Sequence, residues 1–140
     1  FVNGPGLSDV SMRLSLVSTD RDAYNLAAEL SAAVCGMAAD ALAAGNEVVM
    51  CGQAAYTAHS GAEGRVERLA QRRFNAIIQA FCWAADIPFY NPWNIPTDGT
   101  YPTPAGDQAY AMGIVNATVP ANPFGGKRTP LTGSGPLSGN

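Results

Sequence analysis

The side chains best placed for chemistry in this chain are arginines at helical spacing. Arg65, Arg68 and Arg72, with Arg73 near the border, share one arc of a helix-forming stretch with Asn75 and Gln79, and Trp83 stands at its end. Glu63 and Glu67 fall on the far side, and no acid lies four positions from Arg65, Arg68 or Arg72 to neutralise them along the helix. A guanidinium is a planar fork that binds phosphate or carboxylate through paired hydrogen bonds. The stripe therefore calls for an anion: nucleic-acid phosphate, a carboxylate patch on a neighbouring subunit, the chain's own acids, or solvent.

The remaining reactive residue types do not assemble into a recognisable catalytic pattern. His59 is the one histidine, and its neighbours Thr57, Ser60 and Gly61 suggest a helix end, where histidine is favoured beside C-terminal carbonyls. Cys35, Cys51 and Cys82 are odd in number and lack a CxxC spacing, which indicates neither a disulfide framework nor a zinc site. Set among alanine, methionine and aromatic residues, they read as small buried hydrophobes. Glu63 and Glu67 read as a solvated helix flank. No GxSxG, HExxH, phosphate-binding loop, or GxGxxG after a strand occurs. The sequence thus predicts no catalytic residues, metal or cofactor, with a small enzyme pairing one cysteine with His59 as the residual alternative.

Two stretches with different grammar must position these residues. From Pro88 onward only Asp98, Asp107, Lys127 and Arg128 are charged, and every proline but Pro5 lies there. Before Pro88, Val10, Met12, Leu14 and Leu16 alternate with polar residues as a lead-in strand or arm would. Thr19 and Asp22 match a loose capping box, and Gly45 suits a helix end, so Asp20 to Ala44 is a helix. That helix is apolar nearly all round, as helices buried on more than one side are. A second helix capped by Asn46 runs to about Ala58, with a strand as the competing reading for Val48 to Cys51. A third runs from about Ala62 to Ala85, with Val66, Ala70, Phe74, Ile77, Ile78, Phe81, Ala84 and Ala85 on one arc of roughly 120°.

Beyond Pro88, aromatics interleave with prolines at a spacing that suits an extended segment docked in a groove. Phe89, Tyr90, Trp93, Tyr101, Phe124 and Leu131 are its expected anchors on neighbouring subunits. Alternatively, Phe89, Tyr90 and Trp93 fold back to fill the chain's own core. Ala105 to Val119 is compatible with a short helix or a strand, and the Gly/Pro-rich residues after Pro120 read as a tail draped over neighbours.

Composition frames the functional expectation. The chain has 140 residues, a net charge of −3 and only 14% charged residues, against about 25% in typical soluble domains. Its acidity argues against nucleic-acid binding through overall charge, though not through the local arginine stripe. Asp22, Glu29 and Asp40 interrupt the most apolar region, and no membrane span is predicted. The expected fold is mainly α: a helical body of two or three helices over residues 1–87, with a lead-in strand or arm, and a long extended C-terminal arm over 88–140. The expected role is a non-enzymatic structural subunit of a repetitive assembly. A virus or phage particle (coat or cement protein) or a helical filament is the expected setting. Its partners would be copies of itself or other structural subunits, with nucleic acid at the arginine stripe. The alternative is an accessory or binding subunit of a cellular multi-protein complex.

Overall fold

A computed structural model describes residues 2–3, 19–55, 59–99, 101–118 and 131–132, the first and last pairs as backbone. Helix α1, Asp20–Ala43, opens on the expected capping box: the Asp22 amide donates to Thr19 Oγ1 (3.2 Å), and the Thr19 amide donates to Asp22 Oδ2 (3.1 Å). It ends where Gly45 takes a positive φ of 83°, a conformation glycine adopts without steric cost. Helix α2, Gly61–Ala85, stops one residue further on, where Asp86 is left-handed and the Ile87 amide donates to the Cys82 carbonyl. The break therefore precedes Pro88.

The expected second helix is a strand instead. Val48 to Cys51 is a continuous apolar run, and β2, Met50–Cys51, lies inside a four-stranded parallel sheet. Strands covered on both faces carry such runs rather than an alternating pattern. β1 is Val2–Asn3, β3 is Phe89–Asn91 and β4 is Leu131–Thr132, in the spatial order β1-β2-β3-β4. In register, Met50 pairs with Phe89 and Cys51 with Tyr90. Backbone bonds from Gly52 to the Tyr90 carbonyl (2.9 Å) and from Ala55 to the Trp93 carbonyl (3.3 Å) carry the pairing past the strand ends. β2, α2 and β3 thus form a parallel strand–helix–strand unit, in which the helix makes the crossover that parallel neighbours require.

Successive strand residues face opposite sides, and the core divides accordingly. Met50 and Phe89 meet Ala27, Val34 and Ala38 of α1 and Phe74, Ile78 and Cys82 of α2. Cys51 and Tyr90 face Ala117, Tyr110 and Ile114 of α3, Pro104–Thr118, on the other side. Helix α3 resolves the helix-or-strand ambiguity: Pro104 supplies a preset first-turn φ, and Thr103 Oγ1 accepts from the Gly106 amide (3.2 Å). The ring of Tyr90 lies so close to Gly113 that any Cβ there would overlap it.

The chain is therefore mainly helical, as expected, but its helices enclose a small parallel sheet. Residues 88–99 and 101–118, expected as an extended arm, fold on the chain's own body as β3, a turn and α3. Pro88 and Pro92 bracket the strand without occupying it, so all three residues between them keep the amide that sheet pairing needs. The lead-in strand over Val10–Leu16, Phe124 and the tail beyond Pro120, apart from the β4 backbone, lie outside the described residues.

Candidate functional site

The carboxyl ends of β2 and β3 converge on one face of α2, and a polar side chain of α2 holds them together. Asn75 is 3% exposed. Its Oδ1 accepts from the Gln53 amide (2.7 Å), while its Nδ2 donates to the Gln53 carbonyl (2.8 Å) and to Asn91 Oδ1 (3.3 Å). Asn91 Oδ1 also accepts from the Trp93 amide (3.1 Å). One helical amide thus pairs both backbone polar groups of Gln53, just beyond β2, and ties them to the last residue of β3. Such close approach requires glycine at position 52, because a Cβ there would stand 2.7 Å from Asn75 Oδ1.

Beside this network opens a cleft of about 350 Å³ lined by Arg72, Asn75, Ala76 and Gln79 of α2, by Asn91 at the end of β3 and by Trp93 and Asn94 after it. The four helical positions follow the spacing that puts residues on one helix face. The Arg72 guanidinium stacks over the Trp93 ring, 5.1 Å from its centroid. The lining therefore offers one permanent cation, several neutral amides and an indole, with no acid. Such a surface can bind and orient a polar molecule. None of these groups exchanges a proton near neutral pH.

The arginine stripe divides among different partners. Arg65 bonds Asp20 at the start of α1 (2.7 Å), and that hydrogen bond and charge raise the already high pKa of its guanidinium. Arg73 lies over the Tyr24 ring of α1 (5.6 Å), Arg72 faces the cleft, and Arg68 is exposed. Of the expected arm anchors, Phe89 and Tyr90 are buried in the chain's own core, and Trp93 walls the cleft. The Tyr90 hydroxyl donates to the Ala109 carbonyl (3.4 Å), and its ring meets Tyr110 edge-on. Burial, then the neighbouring Cys51, pushes the Tyr90 phenol pKa up. Tyr101 is 67% exposed, and Leu131 pairs through its backbone in β4.

His59 does not cap a helix C-terminus. It precedes Ser60, the N-cap of α2, and its Nδ1 lies 3.5 Å from Oε2 of the fully buried Glu67. Glu67 is thus not on a solvated flank. With Gln71 and Asn75 it forms a buried polar line along α2 at spacings of four. A helical wheel centred on the apolar residues misses this line, because polar residues at those positions look like the start of the wet face.

The cysteine thiols belong to the interior. Burial pushes Cys51 up to about 11 and Cys82 up to about 12, and it raises Cys35 as well. Cys82 Sγ packs 3.4 Å from Met50 Sδ. Among the described residues no three histidine, cysteine or acidic side chains come together as metal ligands.

A second surface stands out on α1. Its inner face packs on α2, and Tyr24, Met37 and Leu42 are exposed along the two margins of that face. By length and composition alone α1 is apolar enough to cross a membrane, although Asp22, Glu29 and Asp40 lie within it. No protein-family model, curated protein or solved structure matches the chain.

Proposed function

We propose that this chain is a ligand-binding unit whose cleft, at the carboxyl ends of β2 and β3, takes a small polar molecule. The observation that carries this reading is the buried amide network of Asn75, Gln53 and Asn91. It fixes the cleft floor before any ligand arrives, and such preorganisation reduces the ordering cost of binding. The cleft lies beyond the carboxyl ends of the parallel strands β2 and β3. Binding is favoured over catalysis because the lining holds amides, an arginine and an indole, with no nucleophile or general base among them. Titrating the isotope-labelled chain with a mixture of small polar fragments tests the reading by NMR. Shifts should cluster at Arg72, Gln79, Trp93 and Asn94; shifts confined to other surfaces, or none, would reject it.

The exposed apolar residues of α1 favour a second role, as a subunit of a larger assembly such as a virion or filament. Alanine-rich helix faces permit close approach of a neighbouring helix, and Met37 and Leu42 would supply apolar contact. Mass photometry of the purified chain should then show particles heavier than a monomer, and exchange of Met37 and Leu42 for glutamate should reduce them to monomers. Bound nucleic acid, if this assembly carries it at the arginine stripe, should fall when Arg68 and Arg72 become glutamate.

A further inference from the structure

We propose that the ligand of the cleft is a hydroxylated carboxylic acid of monosaccharide size, an acidic sugar, with Arg72 as the partner of its carboxylate. The inference rests on the reading of the cleft as a ligand site and specifies its chemistry.

Charge is the first argument. The lining holds Arg72 and no acid, so a ligand bearing one negative charge neutralises it, whereas a cationic ligand would meet only repulsion. Arg72 differs in this from Arg65, whose charge Asp20 already meets at 2.7 Å.

Geometry is the second argument. The Arg72 guanidinium lies over the Trp93 ring, 5.1 Å from its centroid, and lines the cleft. Its planar fork matches the two oxygens of a carboxylate, which can accept two parallel hydrogen bonds.

The rest of the lining sets the remainder of the ligand. Gln79 and Asn94 bring side-chain amides, each with both donor and acceptor atoms, the combination that suits hydroxyl groups, which also do both, while Asn91 Oδ1 already accepts from Asn75 and Trp93. Ala76 and the Trp93 indole supply apolar surface for the carbon face of a ring. Asn75 is spent on Gln53 and Asn91 and acts as a positioning residue. The volume of about 350 Å³ lies near the lower bound of small-molecule sites. A volume of this size takes one sugar ring.

Calorimetry and NMR with D-glucuronate, D-glucose and inorganic phosphate, on the wild-type chain and on Arg72→Met, test the assignment. Arg72 is exposed, so the variant should fold. Glucuronate should bind the wild type about tenfold or more tighter than glucose, since a charge-assisted bidentate pair is worth at least that factor. That preference should collapse in Arg72→Met, and the Trp93 indole N–H signal should move on binding. If glucose shifts the cleft signals as strongly as glucuronate, or phosphate binds more tightly than glucuronate, the carboxylic-acid assignment is wrong while the cleft remains a ligand site. A preference for glucuronate that persists undiminished in Arg72→Met removes Arg72 from the role. If none of the three probes moves Trp93 or Asn94 at millimolar concentration, the assignment fails, and the fragment titration decides the cleft separately.

Discussion

Helices α1 and α2 are nearly equal in length, 24 and 25 residues, and pack against each other through apolar side chains, yet only α2 buries a line of polar residues as well. Helix α1 buries alanine, leucine and valine; its one buried polar residue, Ser31, returns its hydroxyl to the Ala28 carbonyl of its own helix (3.1 Å). Helix α2 buries Glu67, Gln71 and Asn75 in line with Ile78 and Cys82. What each helix covers accounts for the difference. On its buried side α1 meets mainly apolar side chains of α2 and β2. Helix α2 spans the chain leaving β2, where the strand pairing runs out and backbone groups still need partners. Buried polarity on a helix thus marks the place where it supports irregular backbone, and here that place adjoins the cleft.

The contrast breaks most sharply by substitution at Asn75. Asn75→Leu keeps the branching of the side chain but replaces its polar atoms with larger methyl groups and removes both bonds to the Gln53 peptide and the one to Asn91, which should cost roughly 3 kcal/mol or more in urea unfolding. Ser31→Ala on α1, at an equally buried position, should cost less than about 1 kcal/mol because its bond is internal to the helix. Equal losses at the two sites would erase the distinction.

Gly52→Ala comes next. Its Cβ would press on Asn75 Oδ1, and overpacking of this kind costs about 1–3 kcal/mol. Combining it with Asn75→Ala should cost less than the sum of the single changes, because the second change removes the atom struck by the first.

The cysteines sharpen the comparison through pH. Burial raises the Cys82 thiol of α2 from an ordinary 9.0 to about 12, with Cys35 as a lesser cause. A thiol whose folded pKa exceeds its unfolded value stabilises the fold fully below the unfolded value and loses that contribution as pH climbs toward the folded one. Stability should therefore decline between about pH 9 and pH 12, less steeply in Cys82→Ala, as followed by circular dichroism. Under native conditions an alkylating reagent should label Cys35 of α1, which is only half-buried, before Cys82.

The smallest effects belong to the outer surfaces. Met37→Gln at an exposed position of α1 should leave the unfolding midpoint of the isolated chain within about 0.5 kcal/mol of wild type. Arg65→Ala, which breaks an exposed pair with Asp20, should not move it measurably at physiological salt.

Much of this arrangement was legible in the residues. The Thr19/Asp22 box and Gly45 mark the ends of α1, and the wheel of α2 places Arg72, Asn75 and Gln79 on one arc. That arc supplies most of the helical wall of the cleft. The strands were harder to read because two or three residues are too few to display alternation, and Pro88 and Pro92 suggested an extended arm. Gln53 and Asn91 carry no pattern of their own. Their importance follows from a parallel pairing that brings residues 52–55 beside residues 90–93, a non-local fact that spacing along the chain does not encode. The burial of Glu67 was hidden for the same reason, since its surroundings come from the chain ahead of α2.

The central claim is that Asn75 holds the end of β2 and so preorganises the cleft. Hydrogen exchange at the Gln53 amide tests it most directly. In the wild-type chain that amide should be protected nearly as well as the core of α2 around Ile78, and in Asn75→Leu its protection should vanish while that of Ile78 persists. Rapid exchange at Gln53 in the wild type, or unchanged protection in the variant, would contradict the account.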